Sequence, residues 1–119
     1  MESTFDEIQR EAIAFRDARD WKQFHRLKDL VLGLGIEAGE LAELFLWKRE
    51  DEARAALSDP AFARRLADEM ADVQIFLLYL AEDTGVSLPE AVRRKLLANA
   101  AKYPIEKARG SARKYTELT

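Results

Sequence analysis

Two stretches of this chain place acidic side chains where a helix needs apolar ones, and that conflict constrains the fold more than any other feature. Leu30, Leu34, Leu41 and Leu44 recur at helical intervals. At ~100° per residue they fall within roughly 60° of Glu37, and Glu40 falls about 60° to the other side. Phe62, Leu66, Val73, Phe76 and Leu80 surround the direction of Glu69 in the same way, with Asp72 beside them. Residues three apart share one helical face. Each of two helices therefore carries a carboxylate pair, Glu37 with Glu40 and Glu69 with Asp72, on or at the edge of its apolar stripe.

The remainder of the chain also reads as helix. Only five glycines and three prolines are present, and alternating strand patterns are absent. A first helix is expected from about Thr4 to about Ala18, with Thr4 and Glu7 at capping-box spacing. Residues 19–25 look like a connection, and a second helix should run from about Arg26 to about Lys48. The charged, alanine-rich stretch 50–58 fits either a helical extension or a loop. Ser58-Asp59-Pro60 is a helix start, and Gly85 is a natural stop after about Thr84. Ser87 caps a fourth helix that should end near Lys102, before Tyr103-Pro104. Residues 105–119 form a polar, basic tail that is free to be flexible. The expected architecture is one domain over 1–119, an all-α antiparallel four-helix bundle in which the second and third helices face each other through the four acids.

Composition narrows the function. With no cysteine, disulfides and thiolate metal sites are excluded. His25 is the single histidine, so the Glu-x-x-His motifs of a ferritin-like di-iron site are missing. A net charge of -3 argues against a nucleic-acid polymer as partner. The start, Met1-Glu2-Ser3-Thr4-Phe5-Asp6, lacks the pattern of a secretory leader. The longest uncharged apolar run, Val73 to Ala81, is far short of the ~20 residues that span a bilayer. The expectation is a cytoplasmic protein without a membrane partner.

Four carboxylates facing one another in a low-dielectric interior cannot all stay ionised without a compensating charge. One such pair would fit a buried polar network, or acids paired with basic residues of another helix or subunit. Two matched pairs favour a metal. An all-oxygen ligand set suits a hard divalent cation, and Mg²⁺ shares its shell with waters and substrate phosphates. That points to phosphoanhydride or phosphate-ester chemistry. Gly33 lies one turn before Glu37 on the same face, which fits a close helix crossing or room for a ligand.

Other residues suggest a nucleotide. Trp21, Phe24, His25 and Trp47 offer aromatic faces for a base, although tryptophans also serve as core and interface residues. Lys95, Asn99 and Lys102 share one face of the fourth helix. Asn99 is central to a stripe with Leu88, Val92 and Leu96, so its amide needs partners. The alternative is a solvated lysine row with a structural asparagine. Arg109, Arg113 and Lys114 in the tail could close over a triphosphate or remain a loose basic segment.

Glu37-Ala38-Gly39-Glu40 and Glu69-Met70-Ala71-Asp72 resemble the paired Glu-x-x-Glu and Glu-x-x-Asp motifs of the MazG-like superfamily of all-α nucleoside triphosphate pyrophosphatases. The segments Asp20-Trp21-Lys22-Gln23-Phe24-His25, 39–48 and Arg113-Lys114-Tyr115-Thr116-Glu117-Leu118 look like its deoxycytidine triphosphate pyrophosphatase branch. The resemblance runs from about Phe5 to the C-terminus. It implies Mg²⁺-dependent hydrolysis of a (deoxy)nucleoside triphosphate, dCTP or a modified dCTP, to monophosphate and pyrophosphate. It also implies a homo-oligomer, tetramer or dimer. By carry-over, Glu37, Glu40, Glu69 and Asp72 hold the metal, and Trp21, His25 and Trp47 lie near the nucleoside. Leu46 and Phe76 stand where that branch is expected to carry glutamine and tyrosine. Lys95, Asn99, Lys102 and Lys114 complete the expected substrate contacts. The competing reading is a non-catalytic helical interaction module, which Mg²⁺-dependent pyrophosphate release would separate from an enzyme.

Overall fold

The computed structural model describes residues 3–119, and among them helix is the only regular secondary structure. Met1 and Glu2, on which part of the expectation about a leader rests, lie outside the described residues. The helices are α1 (Thr4–Ala18), α2 (Leu27–Glu43), α3 (Glu50–Ala56), α4 (Pro60–Thr84), α5 (Leu88–Lys102) and α6 (Ile105–Ala108), with single 3₁₀ turns at Lys22–Phe24 and Tyr115–Glu117. The chain forms two compact units, Met1–Gly85 and Val86–Thr119.

Local chemistry sets most boundaries. At the start of α1 the cap is Ser3, one residue earlier than the Thr4–Glu7 box expected from the sequence. The Ser3 hydroxyl accepts from the Asp6 amide at 3.1 Å, and the Asp6 carboxylate accepts from that hydroxyl at 2.7 Å. Both registers satisfy the spacing rule, and the chain adopts the one in which Ser3 and Asp6 cap each other. Asp59 caps α4 by accepting from the Ala61 amide at 3.0 Å, with Pro60 in the first turn. Gly85 ends α4 in the left-handed region at φ 71°, which costs glycine nothing. Ser87 opens α5 as expected, accepting from the Glu90 amide at 3.4 Å.

The second helix departs from expectation. It ends at Glu43, not near Lys48. Leu44 to Trp47 coil into turns, and Trp47 takes φ 68°, a left-handed conformation that a bulky residue rarely adopts. The Lys48 ammonium closes the end by donating to the Leu44 carbonyl at 2.9 Å. After this break 50–56 forms a separate short helix, and Arg54 pairs with Glu50 across one turn at 3.0 Å.

In the first unit, α2 packs along α4, and α1 also packs on α4. The α2–α4 pairing is antiparallel: Gly33 abuts Phe76, Glu40 neighbours Glu69, and Phe45 meets Phe62 edge to face at 5.6 Å. As one residue number rises, the other falls. Leu30, Leu44, Phe62, Leu78, Tyr79 and Ala81 are buried here. The Gln9 side-chain amide donates to the Leu78 carbonyl at 3.3 Å and ties α1 to α4. In the second unit, Tyr103 and Tyr115 meet edge to face at 6.0 Å, and the Lys102 ammonium lies 4.9 Å from the Tyr115 ring centre.

Candidate active site

The α2–α4 crossing explains why the acid pairs matter. In an antiparallel pair, two motifs of equal spacing meet in reverse order, so Glu37 comes opposite Asp72 and Glu40 opposite Glu69. The structure brings carboxylate oxygens of Glu37, Glu40 and Glu69 within 4.8 Å of one another. Asp72 stands outside that tight trio, yet its charge reaches both Glu37 and Glu69. Glu37 and Glu69 are half-buried, whereas Glu40 and Asp72 are exposed.

The electrostatics are unfavourable in the metal-free protein. Burial raises the Glu37 carboxyl above its ordinary value of 4.5, and the charges of Glu40, Asp72 and Glu69 push it the same way. Glu69 is also raised, first by burial and then by Glu40 and Asp72, with Arg65 opposing weakly. Oε2 of Glu37 and Oε2 of Glu69 are buried without a hydrogen-bond partner. Buried polar atoms are normally satisfied, so an orphaned oxygen on each of two neighbouring acids needs an explanation. A hard divalent cation supplies one: it satisfies both atoms, offsets the clustered negative charge, and suits an all-oxygen donor set.

Gly33 fixes the approach of the two helices. A Cβ built there would lie within 2.8 Å of Cζ of Phe76 and closer still to Cε1. The glycine therefore serves the crossing, seating the Phe76 ring against α2.

A cleft of about 490 Å³ opens beside the acids. Two helical faces line it with the same spacing, Ile8, Glu11, Ala12 and Phe15 from α1 and Asp72, Ile75, Phe76 and Tyr79 from α4. Trp21, His25 and Leu78 complete the lining. Its volume is within the ~300–1,000 Å³ of small-molecule sites, and its mostly apolar wall with a few polar groups is typical of them. Phe15 meets Trp21 edge to face at 5.8 Å, and the Arg19 guanidinium covers the other part of Phe15 at 3.6 Å from the ring centre. The His25 ring lies 4.8 Å from that of Tyr79, and its Nδ1 is buried without a partner. Burial, then the nearby Arg16 charge, lowers the His25 pKa from 6.5, so the ring is neutral at neutral pH and can both donate and accept.

Not every expected residue meets at this cleft. Trp21, His25 and Asp72 line it, and Glu37, Glu40 and Glu69 adjoin it through Asp72. Trp47 is 91% exposed at the end of the α2 turn and outside the cleft lining. Lys95, Asn99, Lys102 and Lys114 belong to the second unit, where the lysines are exposed and Asn99 is half-buried. Glu11, Phe15, Phe76 and Tyr79 were not anticipated as lining residues. The sequence shows 8, 11, 12, 15 and 72, 75, 76, 79 as single helical faces, but nothing in either stretch says that the two faces meet.

Residues 33–118 match the model of the MazG-like family. The chain is 44% identical over 117 residues to dCTP pyrophosphatase 1 of Homo sapiens, covering 98% of this chain and 69% of the relative. It is 43% identical to dCTP pyrophosphatase 1 of Bos taurus over the same shares of both chains. Among solved structures, a pyrophosphatase from Archaeoglobus fulgidus superposes with a TM-score of 0.81 at 35% identity, covering 87% of this chain and 95% of that one. The chain belongs to the MazG-like family.

Proposed function

We propose that this chain is a Mg²⁺-dependent pyrophosphohydrolase that converts dCTP, or a modified dCTP, and water to the monophosphate and pyrophosphate. One observation carries the reading: the acid cluster and the aromatic cleft share Asp72, so a nucleoside in the cleft would have its phosphates beside the carboxylates. The relatives' substrate supports the choice of dCTP. Apolar residues left at the surface of α2, including Val31, Leu32 and Ile36, support a homo-oligomer, tetramer or dimer. Among the described residues no helix is long and apolar enough to cross a membrane.

In this mechanism Glu37, Glu40, Glu69 and Asp72 would hold the cation, which would supply screening of the phosphate charges and a lowered pKa for the attacking water. The aromatic wall of Phe15, Trp21, His25 and Tyr79 holds the nucleoside and excludes water from it. Glu37 accepts the proton of the attacking water at Oε2, the buried oxygen without a partner. Trp47, in the same unit as the cleft but outside its lining, is the outlying contact to the nucleoside.

The test is pyrophosphate release from dCTP, dUTP, dTTP, dATP and dGTP, with Mg²⁺ and with chelator. The reading expects Mg²⁺-dependent turnover, the highest kcat/KM for dCTP, and loss of turnover with retained nucleotide binding in Glu37→Gln. Absence of release from every nucleotide would leave the non-catalytic helical module standing instead. Glu37→Gln turning over at the parent rate would remove Glu37 from the base role.

A further inference from the structure

Glu11 is out of place. It lies on the apolar face of α1 made by Ile8, Ala12 and Phe15, where the helical pattern calls for another apolar residue. Instead of packing against a core, that face lines the aromatic cleft. Glu11 is exposed there and takes no hydrogen bond or ion pair from another described residue, so its carboxylate is available to a ligand in the cleft. A local break in an otherwise consistent pattern is expected where function requires it.

We infer that Glu11 is the group that reads the base: its carboxylate accepts a hydrogen bond from the exocyclic amine of a cytosine held in the cleft. The inference rests on the reading of the cleft as the nucleoside pocket. Stacking on Phe15, Trp21, His25 and Tyr79 holds any pyrimidine, because every base has a π-face. Discrimination needs an edge contact. An ionised carboxylate is an acceptor only, so it pairs with the cytosine N4 amine. Uracil and thymine present a carbonyl oxygen at that position, which places lone pairs against lone pairs. The four acids of the metal cluster are committed to phosphate chemistry, and neutral His25 offers a donor and an acceptor, which suits both kinds of edge. Among the cleft residues that leaves Glu11 as the acceptor-only group away from the cluster.

Two measurements test this on the full chain. The first is kcat/KM for dCTP and dUTP. The second is the equilibrium affinity for the products dCMP and dUMP by calorimetry, which does not require turnover. The parent should favour the cytosine member of each pair by about tenfold or more. In Glu11→Gln the amide can turn its NH₂ toward O4, so the two members should come within about threefold of each other. Glu11→Asp keeps an acceptor-only group and should retain the direction of the preference. A preference that Glu11→Gln leaves unchanged, or an equal weakening of both members, would overturn the inference while the hydrolase reading stands. A parent that binds dCMP over dUMP through Glu11 but hydrolyses nothing would do the reverse.

Discussion

Replacing Glu69 with glutamine should uncouple metal binding from the fold. Glu69 sits against Glu40 and Asp72, and its Oε2 is buried without a partner. Glutamine preserves the shape and removes one negative charge, and its amide can donate to a neighbouring carboxylate. The metal-free variant should therefore melt no lower than the parent. Metal should separate the two sharply. A cation at 100 times its Kd stabilises the parent by about 2.7 kcal/mol. For a chain of 119 residues, each kcal/mol moves Tm by roughly 3–5 °C. Mg²⁺ should thus raise the parent Tm by about 8–13 °C. If loss of the charged ligand weakens binding about 100-fold, the same Mg²⁺ concentration yields only about 0.4 kcal/mol, or 1–2 °C. Differential scanning calorimetry in chelator and in Mg²⁺ measures both. Equal Mg²⁺ shifts for parent and variant would refute the assignment of Glu69 to the metal, and with it the account of the orphaned oxygens.

Three further outcomes follow from the same geometry. Gly33→Ala pushes a methyl into the Phe76 ring, so Tm should fall by an amount equivalent to about 1–3 kcal/mol, with weaker nucleotide binding as the ring shifts at the cleft; an unchanged Tm would show that the crossing yields freely. Glu37 and Glu69 have raised pKa values in the folded state, so their stabilising contribution is full below the ordinary 4.5 and is lost as pH rises through the folded values. In chelator, the Tm of the parent relative to Glu69→Gln should therefore decline from acid toward neutral pH, and Mg²⁺ should erase the decline. Trp47→Gly relieves a left-handed conformation at a side chain that is 91% exposed, so it should raise stability by about 1 kcal/mol in calorimetry while lowering kcat/KM for dCTP.

The sequence displayed the fold wherever local chemistry decides it. Asp59-Pro60, Gly85 and Ser87 carry their own boundary signals, and α4 and α5 begin or end where those residues predict. It concealed the end of α2, because Leu44 to Trp47 contains no glycine, asparagine or proline. The chain turns there through an unfavourable left-handed Trp47 conformation, which no residue type in the stretch announces. The cleft was half concealed for a different reason. Trp21 and His25 stand out as rare residue types, whereas Phe15 and Tyr79 look like ordinary core residues until α1 is known to lie beside α4. Tertiary proximity of that kind has no signature in a single helix.

The acid cluster is the instructive exception, since a long-range meeting was legible from short-range spacing. Two motifs of equal length on separate helices can meet face to face in only two ways. In a parallel pair Glu37 would oppose Glu69, and in an antiparallel pair it opposes Asp72. Either way four carboxylates converge, so the sequence foretells the cluster without fixing the direction of the helices. The direction decides which acid of α2 lies opposite each acid of α4, while the sequence of α4 decides which of its acids lies toward the cleft. Along α4 itself, Asp72 lies on the same face as Phe76 and Tyr79, the next residues of that face, whereas Glu69 lies nearer Leu66 and Phe62. Asp72 is therefore the acid that joins the cluster to the aromatic wall. In the proposed reaction that orientation sets the order of the substrate across the site, with the base among the aromatic rings, the sugar passing Asp72, and the phosphates over Glu37, Glu40 and Glu69.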